Sequence, residues 1–102
     1  SKEVFMKPFL FHPEALMEAD ESARFYEERQ EGLGKRFIEA LTDTINRIIR
    51  NPKLYIKIDD TIRKCRLLHF PYGVIYRDIN EFIEIIAVMH LKREPGYWKS
   101  RI

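Results

Sequence analysis

The end of the chain gathers the side chains best suited to proton transfer and anion binding: His90, Lys92, Arg93, Tyr97, Trp98 and Arg101. Cleavage of RNA through its 2′-hydroxyl needs a base for that hydroxyl, cations for the phosphorane charge and an acid for the leaving oxygen. His, Arg or Lys, and Tyr can fill those roles, which makes His90 and Tyr97 the candidate catalytic pair under that chemistry. The alternative for His90 is a hydrogen-bonded structural residue at the end of a strand. Tyr97 and Trp98 offer flat faces on which bases stack, whereas the preceding Pro95-Gly96 corner favours folding back over a sheet or into a protein interface. No His, Cys, Asp or Glu spacing fits a metal site, and there is no phosphate-cradling Gly loop and no Ser/His/Asp series, so hydride and acyl-transfer chemistry are set aside and no cofactor is expected.

These residues must be held by ordered elements, and the chain reads as a continuous series of them. Val4 to Phe11 has strand-like content and ends at His12-Pro13, where Pro13 suits the first turn of a helix. Leu16, Ala19, Ala23 and Tyr26 recur at helical spacing, with Glu14, Glu18, Asp20, Glu21, Glu27 and Glu28 largely on other faces. Gly32-Leu33-Gly34 supplies a helix stop and a tight corner, after which Phe37, Leu41, Ile45 and Ile48 repeat the pattern as far as Asn51-Pro52. Residues 13–51 are therefore expected to form an antiparallel helical hairpin.

From Ile62 the period becomes extended. Ile62 to Phe70, Tyr72 to Ile79 and Phe82 to Leu91 predict three consecutive antiparallel strands, with Asn80-Glu81 as a two-residue turn that sets Ile79 opposite Phe82 and Arg77 opposite Glu84. Strict alternation puts Cys65, Leu67, Tyr72, Val74, Tyr76, Ile83, Ile85, Ala87 and Met89 on a core face under the helices. The opposite face then carries Lys64, Arg66, Leu68, Gly73, Ile75, Arg77, Glu84, Ile86, Val88 and His90, where a partner would bind. The expected architecture is α+β: an N-terminal strand at a sheet edge, a helical hairpin, then a three-stranded antiparallel meander with the helices on one face.

With 102 residues, 45% hydrophobic and 33% charged, the chain fits one domain with an ordinary core and is neither disordered nor fibrous. Its longest apolar run, Ile85 to Met89, is far too short to span a bilayer, so no membrane partner is expected and a cytoplasmic location is. The lone Cys65 has no disulfide or zinc partner and reads as a small packing residue. Formal net charge is +2, but residues 1–51 hold 8 basic and 10 acidic side chains while residues 52–102 hold 10 basic and 6 acidic. The C-terminal half is the basic half, suited to an acidic partner or a phosphate backbone.

Taken in order, Ala23-Arg24-Phe25-Tyr26-Glu27, Gly32-Leu33-Gly34 with Phe37, Asn51-Pro52, Arg63 with Phe70-Pro71-Tyr72-Gly73-Val74-Ile75-Tyr76-Arg77, and Ala87-Val88-Met89-His90 leading to Arg93-Glu94-Pro95-Gly96-Tyr97-Trp98 and Arg101 cover nearly the whole chain. In this pattern the sequence resembles the RelE/ParE superfamily of toxins from type II toxin-antitoxin systems, also called plasmid stabilization proteins, and is closer to the ParE branch. The resemblance implies the same α+β architecture, growth inhibition, and a cognate antitoxin as partner. It implies two kinds of target, since the superfamily contains toxins that poison DNA gyrase and ribosome-dependent mRNA endoribonucleases. On the ribonuclease pattern, Lys64 and Arg66 match two basic strand positions and Tyr97 the C-terminal tyrosine. An arginine expected on the middle strand falls at Gly73, and another at Leu91 unless His90 or Lys92 takes its place. On the target- or antitoxin-binding pattern the expected contact residues are Lys64, Arg66, Arg77, His90, Lys92, Arg93, Tyr97, Trp98 and Arg101, acting without a small-molecule cofactor.

Overall fold

The computed structural model describes residues 6–102. The expected first strand opens at Val4, which with Phe5 lies outside the described residues; the strand observed, β1, is Phe9–Phe11. His12 then caps helix α1 (Pro13–Arg29), its Nδ1 accepting the Glu14 N–H at 3.1 Å. Pro13 sits at the first helical position, where a missing N–H costs nothing.

The inward face of α1 is made of smaller residues than the spacing suggested. Ala15 and Ala19 are buried, whereas Leu16 is 56% exposed. Short side chains let α1 lie close to the sheet and to helix α2 (Leu33–Arg50). The hairpin closes at Gly34, where a Cβ would stand 2.6 Å from the Ala23 carbonyl oxygen. The Glu27 carboxylate satisfies the corner, accepting the N–H groups of Gly32 and Gly34 at 3.0 to 3.1 Å. On α2, Phe37, Leu41, Ile45 and Ile48 are buried as their spacing predicts.

Five strands form one sheet in the order β1-β5-β4-β3-β2, with β3 Ile62–Arg66, β4 Tyr72–Asp78 and β5 Ile83–His90. The meander and its turn follow the expected register: Arg77 pairs with Glu84 at 2.7 Å, and Ile79 donates to the Phe82 carbonyl at 2.9 Å. β1 joins the edge of β5 in parallel, Phe9 opposite Ile83 and Phe11 opposite Ile85, which makes the sheet mixed. The remaining strand, β2, is only Ile56–Lys57 and carries too little pattern to be read from sequence.

One irregularity overturns part of the face assignment. Ile75 pairs with Ala87 but Tyr76 pairs with Ile85, so Ile86 is an extra residue in β5, a β-bulge. A bulge shifts the period-2 alternation by one, and every residue beyond it changes sides. Val88 and His90, expected on the outer face, lie on the helix side: Val88 joins the helix-side core and the His90 ring meets Tyr72 edge-on at 5.0 Å. Ala87 and Met89, expected under the helices, pack on the outer face with Ile62, Ile75, Ile86 and Trp98. The outer face is therefore partly apolar core, covered by a short 3-10 turn, η1 (Tyr97–Arg101), that folds back over it.

Candidate functional site

β1 is short, so it covers β5 only from Ile83 to Ile85. Beyond that point the Ile86 carbonyl and the Val88 N–H of β5 are met by side chains rather than by a strand, where the C-terminal segment meets α1. Glu18 of α1 is the centre of the meeting. Its Oε1 accepts the Val88 N–H at 3.0 Å and Arg101 Nη1 at 2.9 Å. Its Oε2 accepts Tyr97 Oη–H at 2.7 Å, Arg101 Nη2 at 2.9 Å and Arg93 Nη1 at 3.1 Å. Arg101 also donates to the Ile86 carbonyl at 3.0 Å and reaches Glu14 at 3.5 Å. The guanidinium of Arg93 stacks on the Tyr97 ring, 3.5 Å from its centroid.

The electrostatics follow from this geometry. Burial opposes ionisation of Glu18, but the hydrogen bonds from Arg101, Tyr97 and the Val88 N–H outweigh it and hold the carboxyl below its ordinary range. Burial, then the hydrogen bond to Glu18 and its negative charge, push the Tyr97 hydroxyl up, so it stays protonated and donating. Arg101 is held more firmly protonated by Glu18. Two of the C-terminal cations, Arg93 and Arg101, are thus paired with α1 rather than free.

The other predicted residues are distributed over three places. Lys64 lies on the outer face, its aliphatic stem crossing Gly73, where a Cβ would meet it at 3.1 Å. Together with Lys99, Met89, Leu91 and Trp98 it lines a cleft of about 390 Å³. Trp98 is only 3% exposed and belongs to the outer core rather than to the surface. Arg66 is exposed on β3, and its carbonyl accepts from Arg47 at 3.0 Å. Arg77 is committed to Glu84 at the far end of β4 and β5 from His90. His90 Nδ1 accepts the Lys92 N–H at 3.0 Å, leaving Nε2 as its donor. His90 packs on the helix side while Tyr97 packs against the outer core, so the two are not brought into one site. Cys65 is buried, and burial pushes its thiol up, in keeping with a packing role.

The residue that sequence reasoning missed is Glu18. It stands among six acidic residues of α1 that read as a solvated face. The signal for it was the neighbouring small pair Ala15 and Ala19: a helix that comes close to a sheet brings the carboxylates beside that stripe to the sheet edge. Among the described residues no group of three or more His, Cys, Asp or Glu is placed to hold a metal, and no helix is long and apolar enough to cross a membrane.

The chain is thus a helical hairpin packed on a meander, with a C-terminal turn latched to α1. Residues 9–95 match the family described as the ParE toxin of type II toxin-antitoxin system, parDE, and the chain belongs to that family. In fold it is similar to a chain of the chromosomal ParDE TA system from P. aeruginosa, at 13% identity and a TM-score of 0.62, over 85% of this chain and 98% of that one. No curated protein matches the chain.

Proposed function

We propose that this ParE-family toxin inhibits growth by binding a macromolecular target without cleaving it, with DNA gyrase the first candidate, and that a cognate antitoxin neutralises it. The observation that carries the reading is the state of Tyr97. Its hydroxyl donates to Glu18 at 2.7 Å and is pushed up in pKa, so it is committed to structure rather than poised to move a proton at neutral pH. His90 lies on the other side of the sheet, and Gly73 brings no cation to the outer face. A phosphorane forming on that face would lack stabilisation of roughly 2 to 4 kcal/mol for each missing donor. The same segment suits binding: Arg93 stacked on Tyr97, with Arg101 behind it, presents residue types that dominate interface energies. The exposed Lys92 and Lys99 of the same segment, with Lys64 across the outer cleft from Lys99, give an acidic antitoxin segment its counter-charge.

The test is induction in a bacterial host with transcript integrity and plasmid supercoiling read from the same culture. The expected result is growth arrest with altered supercoiling and intact transcripts, abolished by truncation before Arg93. Cleavage of ribosome-bound transcripts within minutes, with unaltered topology and loss of cleavage in Tyr97→Phe, overturns the reading and establishes the endoribonuclease instead.

A further inference from the structure

The geometry points to Glu18 as a positioning residue: its carboxylate clasps the C-terminal segment onto the open edge of β5 through the buried Arg101 and sets Arg93 and Tyr97 in the arrangement that meets the target. This rests on the reading of that segment as the binding surface. An edge strand with free N–H and C=O groups invites pairing with another chain unless something covers it. Here the cover has two parts. β1 pairs with β5 at residues 83–85, and beyond it the Val88 N–H goes to Glu18 and the Ile86 carbonyl to Arg101. The Glu18–Arg101 pair thus continues the edge where β1 stops, and its two parallel bonds of 2.9 Å each fix the pair's orientation.

Only a carboxylate of this length satisfies the arrangement. Every group that faces Glu18 from η1, β5 and the segment between them is a donor: two guanidinium nitrogens of Arg101, one of Arg93, the Tyr97 hydroxyl and the Val88 N–H. A glutamine keeps one acceptor oxygen, so it serves only one side of the cluster and turns its NH₂ to the donors on the other; an alanine removes every acceptor. Aspartate keeps the charge but is one methylene short of reaching the strand and η1 together. Without the acceptor, η1 loses its tie to α1, and the Arg93–Tyr97 stack loses the bond that fixes the tyrosine.

The experiment uses the full chain. Backbone hydrogen exchange at Val88 is compared with exchange at Ile75 in the central strand, and growth inhibition is measured at matched soluble protein. In Glu18→Ala, Val88 exchange is expected to rise at least tenfold with Ile75 unchanged, and the inducer dose for growth arrest to rise at least tenfold. Ile45→Val, a loss of packing on α2 away from the clasp, is expected to change neither. Should Glu18→Ala fail to fold, Arg101→Lys keeps the charge, removes the fork and is expected to move both readouts in the same direction. Unchanged Val88 exchange in the folded variant overturns the clasp. Full growth inhibition in Glu18→Ala, with truncation before Arg93 inactive, overturns the positioning role while leaving the binding surface standing. Growth inhibition that survives the truncation overturns the binding-surface reading itself.

Discussion

The bulge at Ile86 makes a sharp prediction at Val88. Simple alternation along β5 sends this side chain outward, but the bulge turns it under the helices, where it is 2% exposed. Val88→Ala removes two methyl groups, about 1.6 kcal/mol of lost transfer at ~0.8 kcal/mol per carbon, and the residual cavity raises the expected loss to roughly 2 to 3 kcal/mol. Val88→Thr keeps the shape but buries a hydroxyl, for an expected loss of about 1 to 3 kcal/mol. The backbone bond from Val88 to Glu18 survives both changes, so the readout isolates the side chain. Urea unfolding followed by circular dichroism suffices, since a domain of this size has a total stability of about 5 to 15 kcal/mol. Losses within about 0.5 kcal/mol for both variants, the range of ordinary surface substitutions, refute the burial of Val88 in the core.

Further expectations follow from the same contacts. Ile85, fully buried before the bulge, should cost about 2 to 5 kcal/mol as Ile85→Ala; a loss below about 1 kcal/mol in the same urea assay would remove it from the core. Gly34→Ala should destabilise by roughly 1 to 3 kcal/mol because the new methyl meets the backbone carbonyl of Ala23, while Gly73→Ala should be mild because only the flexible Lys64 stem must shift. Equal thermal shifts for the two glycine variants would contradict this. Because the folded Glu18 pKa is lowered, its stabilisation is complete above the ordinary carboxylate range of about 4.3 and is lost as pH falls through the folded value. The wild type should therefore lose more stability between pH 6 and pH 3 than Glu18→Gln does, on the order of what is expected from one paired carboxylate; parallel stability curves would show that Glu18 is not ionised by its partners. Tyr97→Phe should leave the ring under Arg93 but release a bond to Glu18, lowering stability by about 1 to 2 kcal/mol with growth inhibition largely retained.

Much of this architecture is legible without coordinates because it depends on local periodicity. The inward stripe of α2 from Phe37 to Ile48, the Gly32-Leu33-Gly34 corner, the Asn80-Glu81 turn and the Arg77–Glu84 pair all follow from spacing within a few residues. What the local pattern did not contain is decided by distant segments. An extra residue in β5 leaves composition and alternation looking normal, since Ile85, Ile86, Ala87, Val88 and Met89 are apolar on both sides; only pairing with β4 reveals that Ile86 is unmatched and that Val88 and His90 turn inward. For Trp98 the residues allow folding back over a sheet or insertion into a protein interface, and only the seating of η1 on the outer core decides between them. The basic charge of the C-terminal half is a property of the sequence, but whether those cations are free is not. Glu18 lies 75 residues before Arg93 and 83 before Arg101, and it pairs with both only because α1 packs along the edge of β5 that β1 leaves open. Charge follows from residue type alone, whereas pairing at such separations requires the packed fold that brings a carboxylate and its donors within about 3 Å.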